Sequence, residues 1–515
     1  MSADFDIAVI GSGFGGSLLA LIVRRLGRSV VLLERGQHPR FAIGESSTPL
    51  ANLLLEELAQ RYELPRLLPL TKWGSWQRER SEIACGLKRG FTFYHHRLDE
   101  PFARDPERRD QLLVAASPRD EIADTHWYRP DFDAFLAREA QAGGVEFIDQ
   151  LDLKTISPSG ETSLLEGERE GRPVTIRARF VIDATGPRGF LHRALELPEV
   201  PLERLPPTQA LYSHFTGVRR WEELFPNEGD APYPADDAAL HHVFEGGWIW
   251  VLRFNNGLTS AGVAATDAVA GELDFAKGDA AWSRLLARLP SVREQFAGAR
   301  AMRPFIHAPR LSFLTGQVSA REWVLLPSAA GFIDPLLSTG FPLTLLGISR
   351  LARIIETAWG HETFAERLFD YSMHTTMELL LTERLVAALY ATMGDFELFS
   401  ALTRLYFAAA SFTETARRLG RPELAGEMFL MGGHSVFGPR FRYCVEQAAR
   451  RPTGAQRGQL LERIRQTIEP VDVAGLGDIT RRNWHPVKAE DLLRAAPKLG
   501  ATEAEIQQLL ARCGF

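Results

Sequence analysis

Residues 5–34 read FDIAVIGSGFGGSLLALIVRRLGRSVVLLE. A short apolar run is followed by glycines at Gly11, Gly13 and Gly16, an amphipathic segment, a second apolar run and a carboxylate at Glu34. This order predicts a strand, turn, helix and strand whose turn cradles a dinucleotide pyrophosphate. Gly11 permits the tight turn, Gly13 lets the phosphates approach the backbone, and Gly16 lets the helix pack on the strand. The helix N-terminus offers free N–H groups to the anion. Glu34 stands where a carboxylate accepts hydrogen bonds from a ribose diol and repels a 2′-phosphate. Phe14 in the turn and Arg35 beside Glu34 are further candidate cofactor contacts. Glycine spacing alone is a weak signal; the glutamate at the end of the second strand makes it specific.

Such a unit takes either NAD or FAD. Residues 178–195, ARFVIDATGPRGFLHRAL, decide between them, because a strand ending in small residues at Asp183 and Gly186 suits the ADP half of FAD in flavoproteins of this fold. A second glycine fingerprint following a strand is not found, so no dedicated NAD(P)H domain is expected. Residues 323–349, WVLLPSAAGFIDPLLSTGFPLTLLGIS, give the next signal. A strand passes through small residues to Asp334 and Pro335, then to Ser338, Thr339 and Gly340 at the head of an apolar helix. Small residues let backbone approach a flat ring, and a loop opening a helix aims N–H groups at an anion or a flavin edge. Between the two, residues 240–265 alternate apolar and polar and carry turn signals at Glu245-Gly246-Gly247 and Asn256-Gly257, which predicts antiparallel sheet. Trp248, Trp250, Leu252 and Phe254 share one face of it. Such a stripe reads first as core, yet an inserted sheet is where this type of enzyme keeps its substrate. From His361 apolar residues recur at three- and four-residue spacing, predicting a helical C-terminal region whose faces suit core packing or a homodimer contact.

The expected fold is therefore α/β: an FAD-binding Rossmann-like domain from 1–80, 145–205 and 300–360, an inserted substrate sheet from 81–144 and 206–299, and helices over 361–515. The chain has 515 residues, 45% hydrophobic and 24% charged, which fits a soluble globular protein. A net charge of −6 gives no basic field to attract nucleic acid or an anionic membrane. Three distant cysteines, Cys85, Cys444 and Cys513, suggest neither a disulfide framework nor a metal site. With no export signal visible, the expected compartment is the reducing cytoplasm.

One lysine stands apart. In ACGLKRGF, Lys88 lies between Gly86 and Gly90, although most lysines are only solvated surface charges. GSGFGG, HPRFAIGESSTP, ACGLKRGFTF, HHVFEGGWIWV and GFIDPLLSTG occur in an order and at a spacing that resemble the flavin-dependent halogenases, the phenol-type members above all. The resemblance covers residues 5 to about 350. It implies that reduced FAD and O₂ oxidise chloride or bromide to hypohalous acid. Lys88 then hydrogen-bonds that species or becomes a haloamine, and delivers halogen to an electron-rich ring. It further implies a halide site at Ser338, Thr339 and Gly340, cofactor contacts at Ser47 and Thr48, and a substrate pocket near Phe93, Trp248 and Trp250. A separate flavin reductase and a phenolic substrate, free or carrier-tethered, complete the expected partners.

Three departures from the family pattern stand out. Leu337 replaces the glutamate that tryptophan halogenases carry, which disfavours a tryptophan substrate. Arg253 replaces the proline of the WxWxIP signature, and Pro327-Ser328 replaces the Gly-Asp that often meets the ribityl chain. The base toward a phenol is not identified; His95, His96, His241 and His242 are candidates by residue type alone. Two rival readings share the sequence features: a single-component NAD(P)H-dependent aromatic hydroxylase, and a flavin-binding protein without catalysis that docks a carrier.

Overall fold

The computed structural model describes residues 3–159, 161–227 and 229–515. Ala3–Ile10 is a strand, Phe14–Arg25 a helix and Val30–Leu33 a second strand, parallel to the first with Ile7 opposite Val30 and Ile10 opposite Leu33. Val30–Leu33 is apolar throughout because this sheet is covered on both faces, as parallel sheets are. Its order is Glu146–Ile148, Val30–Leu33, Ala3–Ile10, Arg172–Asp183, Thr162–Arg169 and Leu151–Ser159, with Trp323–Leu325 also pairing parallel to Arg172–Asp183. Ile10 lies opposite Asp183, and Asp183 opposite Leu325. The three loops that carried the sequence signals thus leave one carboxyl edge together, where sheets of this class bind ligands.

The second sheet is mostly antiparallel and contains both expected hairpins. Phe244 pairs with Gly247 around Gly246, and Phe254 N–H donates to the Leu258 carbonyl around Gly257, both glycines at positive φ. Gly90–His95 enters this sheet parallel to Ala239–Phe244 and antiparallel to Gln111–Ala115. Trp248, Trp250 and Leu252 face the core shared with the first sheet, while Ile249 and Val251 face a second core under Trp221 and Trp282. Burial on both faces explains why the alternation in the sequence is incomplete.

Two differences from the expected partition appear. Arg129–Ala142, grouped by sequence with the inserted sheet, packs on Phe14–Arg25 and leads into a strand of the first sheet. Trp484–His485, in the expected helical region, adds a strand beside Leu113 and Val114. The rest of that region is helical, led by Phe364–Thr392 and Phe396–Arg418. Among the described residues no helix is long and apolar enough to cross a membrane.

Candidate functional site

Cys85–Lys88 forms a short antiparallel ribbon with Asp124–Trp127, and Lys88 is directly opposite Asp124. The flanking glycines are required by close approach. A Cβ on Gly86 would fall 2.0 Å from the Arg253 carbonyl oxygen, and one on Gly90 would fall 2.2 Å from that of Val114. Arg253 is itself fixed, its guanidinium donating to Asp236 and to the carbonyls of Val218 and Arg219. The arginine that replaces the family's proline therefore anchors the end of its strand over the lysine ribbon.

Lys88 is 0% exposed. Its Nζ donates to Ser46 Oγ at 2.8 Å and to the Ser47 carbonyl, and lies 3.7 Å from the centroid of the Phe91 ring. These acceptors are neutral, so burial pulls the amine down to about 7, while the Asp124 carboxylate works the other way. Asp124 is buried too, and Asn52 Nδ2 donates to its Oδ1 at 2.7 Å. Burial, with Glu414 adding to it, raises the Asp124 carboxyl, whereas Lys88 and Asn52 oppose the rise. Ser47 Oγ donates to the Thr125 carbonyl, and Thr48 caps the Pro49–Arg61 helix by accepting from Ala51 N–H.

A cavity of about 200 Å³ adjoins this lysine. Its walls include Thr48, Phe91, Pro342, Phe407, Glu414 and Leu510, so the first sheet's loops, the second sheet and the C-terminal helices all contribute. Lys88 lies one layer behind, held by Phe91 and by Ser47, the neighbour of Thr48. The expected pocket residues lie elsewhere. Trp248, Trp250 and Phe93 are buried and do not line this cavity; Phe93 stacks on His241 with centroids 4.5 Å apart. A two-residue period shows which face of a strand is covered, not by what. None of the four candidate histidines reaches the wall either. His241 Nδ1 donates to the Thr92 carbonyl, His95 meets Asp110, and His96 meets His242. The carboxylate on the wall is Glu414, in an ion pair with Arg418 at 2.7 Å. Its i,i+4 spacing from Arg418 in a helix otherwise rich in apolar residues was the signal available.

Pro342 connects the cavity to the turn at 334–340. Asp334 is buried, accepting from Leu336 N–H at 2.9 Å and from the Tyr390 hydroxyl at 2.9 Å, and burial pushes its carboxyl up to about 7. Asp334 and Pro335 thus brace the loop. Leu337 and Ser338 both have positive φ, 63° and 55°, a conformation costing about 1–3 kcal/mol for a non-glycine residue. The Tyr406 hydroxyl donates to the Leu337 carbonyl at 3.0 Å and holds it there. Thr339 and Gly340 open the Gly340–Ala358 helix, whose first N–H groups have no intrahelical acceptor. A Cβ on Gly340 would meet nothing within 4 Å, so the turn borders open space. Pro327, the departure from Gly-Asp, packs on the same helix at Gly347, where a Cβ would fall 2.3 Å from its Cγ.

At the other end, a Cβ on Gly11 would come 2.7 Å from the Ala184 carbonyl and one on Gly16 would come 1.9 Å from that of Gly11. Gly186 borders open space. Asp183 serves its own loop, accepting from Thr185 and Leu191 N–H groups. Glu34 accepts from Ser12 N–H, Ser12 Oγ and Gly36 N–H; although burial opposes it, Arg40 and these donors hold its carboxyl below the usual range. Arg40, 3.1 Å from Glu34, is also the guanidinium nearest Gly13, whereas Arg35 is exposed. The glycine turn, the Glu34 carboxylate and the helix N-terminus fit an FAD. Sequence reasoning also missed Glu45, a buried carboxylate that accepts from His214 at 2.9 Å and leaves Oε2 unpaired, tying the 38–48 segment to the second sheet.

Comparison with known proteins gives consistent results. The model of the FAD dependent oxidoreductase family matches residues 6–331. The monodechloroaminopyrrolnitrin halogenase PrnC of Pseudomonas fluorescens is 31% identical over 412 residues, 79% of this chain and 71% of that protein. The tetracycline 7-halogenase of Kitasatospora aureofaciens is 29% identical over 419 residues, 79% and 73% of the two chains. Among solved structures, halogenase PltM superposes with a TM-score of 0.80 at 25% identity, covering 93% of this chain and 99% of that one.

Proposed function

The chain belongs to the flavin-dependent halogenases, within the FAD dependent oxidoreductases, and we propose that it halogenates a small phenolic or comparably electron-rich aromatic ring through Lys88. FADH₂, when bound, would supply with O₂ the oxidising power that turns chloride or bromide into hypohalous acid. The glycine turn and Glu34 would hold the ADP half, Arg40 standing by the pyrophosphate. The N–H groups of Thr339 and Gly340 would receive halide, with no carboxylate at position 337 to repel it.

Lys88 carries the rest. As a neutral amine it attacks hypohalous acid, so that an N–X bond forms, the O–X bond breaks and water leaves with one amine proton. The halogen then passes from Nζ to a ring carbon. The observation that supports this reading is a wholly buried amine, on neutral acceptors, behind two residues of a largely apolar cavity. Burial pulls the amine down to about 7, so that a large share of it is uncharged near neutrality, as a nucleophile requires. Thr48, Phe91 and Phe407 would clasp the ring, and Glu414 would accept a phenolic proton. Reduced flavin would come from a separate reductase, and the substrate arrive free or on a carrier.

The test is Lys88→Ala, supplied with FADH₂, halide and a panel of phenols, indoles and pyrroles read by mass spectrometry. Halogenated product is expected to vanish while O₂ uptake and peroxide release continue. Product formation by the variant would sink the assignment of Lys88. Turnover of the wild type with NADPH alone and no halide would sink the reaction class.

A further inference from the structure

We infer that Asp124 is the proton donor that releases halogen from Lys88. The inference rests on Lys88 as halogen carrier and starts from a difficulty in that step. When the halogen leaves a neutral haloamine as X⁺, the nitrogen takes the electron pair of the N–X bond and needs a proton at once. Ser46 and Ser47 do not meet this need, since Nζ already donates to both and neither is acidic.

Asp124 is brought beside the lysine by strand pairing, and Nζ has to leave Ser46 and Ser47 to take its proton. The ribbon register sets it directly opposite Lys88, where opposed Cβ atoms stand about 4.5–5.5 Å apart. The groups around the pair are few. Lys88 faces it from its own strand, Asn52 holds it from the Pro49–Arg61 helix, and Glu414 and Arg418 face it from Phe396–Arg418. His126 lies two residues along, and His241 approaches Lys88 from the second sheet. Both histidines are kept neutral by burial, and Glu414 stands on the cavity wall rather than in the ribbon. Asp124 is the carboxyl of the ribbon, and burial raises it to about 7, so that a share of it holds a proton near neutral pH.

The step balances. The N–X bond breaks as the ring π electrons form the C–X bond; the Asp124 carboxyl gives its proton to Nζ, restoring the amine. The ring then loses the proton on the halogenated carbon, and that proton returns to the Asp124 carboxylate. No oxidant beyond the hypohalous acid already used is needed, and the pair ends as it began. The same residue thus acts as acid and then as base within one turnover.

The experiment is single turnover with hypohalous acid supplied directly to the FAD-bound enzyme, following Lys88 haloamine by intact mass and iodide oxidation, and product by chromatography. Asp124→Asn is expected to form the haloamine but transfer halogen about 10²-fold more slowly, a size usual for loss of a general acid. Asp124→Glu should regain part of the rate. In the wild type, transfer should slow as pH rises through about 7, and Asp124→Asn should lose that limb. Transfer by Asp124→Asn at the wild-type rate, or loss of product with no halogen on Lys88, overturns the inference. Should the variant not fold, the wild-type profile decides: transfer independent of pH from 6 to 9 overturns it as well. Halogenation by Lys88→Ala would remove the underlying reading, whereas a Lys88-dependent enzyme indifferent to Asp124→Asn removes only this one.

Discussion

Lys88 and Asp124 are fixed opposite each other by backbone pairing of two four-residue strands, and everything said of their chemistry depends on the ribbon staying in register. A slip of one residue would turn the lysine to the other face. The register is enforced from outside by the carbonyls pressed against Gly86 and Gly90.

Gly86→Ala and Gly90→Ala are therefore expected to destabilise the protein by about 1–3 kcal/mol each, as overpacking does, and to lose halogenation beyond the loss of folded protein. Gly271→Ala serves as the control, since a Cβ there meets nothing within 4 Å and the residue belongs to a separate helix, Asp267–Leu273. Thermal melts with a product assay on the folded fraction check this. Equal activity per folded molecule in all three variants would mean that the ribbon does not govern the amine.

Tyr406 connects two parts of the site, its ring on the cavity wall and its hydroxyl on the Leu337 carbonyl. Tyr406→Phe keeps the wall and removes the brace. A loss of about 1 kcal/mol is expected, together with a several-fold rise in the halide concentration for half-maximal rate and little change in substrate KM. A change confined to substrate KM would contradict the bracing role.

The buried histidines make stability depend on pH in a known direction. Gln295 Oε1 only accepts, so His242 Nε2 carries the proton, its Nδ1 accepts, and His96 Nε2 must donate. A further proton would set two N–H groups against each other. The folded pKa of His242 is lowered to about 3 and that of His96 also falls well below the usual 6.5, both through burial. Their stabilisation is full above pH 6.5 and fades as pH falls toward 3, by up to about 1.4 kcal/mol per pH unit for each proton. Asp334 works oppositely: its pKa is raised, so its charging costs stability as pH rises through about 7. Melting temperatures of wild type and His242→Phe between pH 4 and 8 separate the two. The variant should be less stable at pH 8 and fall less steeply below 6.5; parallel curves would rule out His242 as the cause.

What the sequence made legible was whatever depends on neighbours along the chain. The glycine turn, the Gly246 and Gly257 hairpins and the long helices follow from local conformation and periodicity, and all fold as read. Lys88 stood out because two glycines frame it. Asp124 did not, since only strand pairing brings it across 36 residues of separation to face the lysine. Arg35, beside Glu34 in the sequence, is exposed, whereas the chain turns at Gly36 and brings Arg40 back to Glu34 and Gly13. Phe91 meets the cavity and Phe93, two residues on along the same face, stacks on His241 instead, because neighbours on one face meet different parts of the core and no periodicity tells which of them borders a void.

The chamber beside Lys88 draws its walls from Thr48 at one extreme of the chain and from Phe515 at the other, whereas the first sheet has all its strands once Leu325 has been made. On the ribosome, where earlier segments emerge before later ones, the room for an aromatic guest is not enclosed until the last residues of its wall have been made. A product truncated before position 509 would lack part of the wall that closes around that guest.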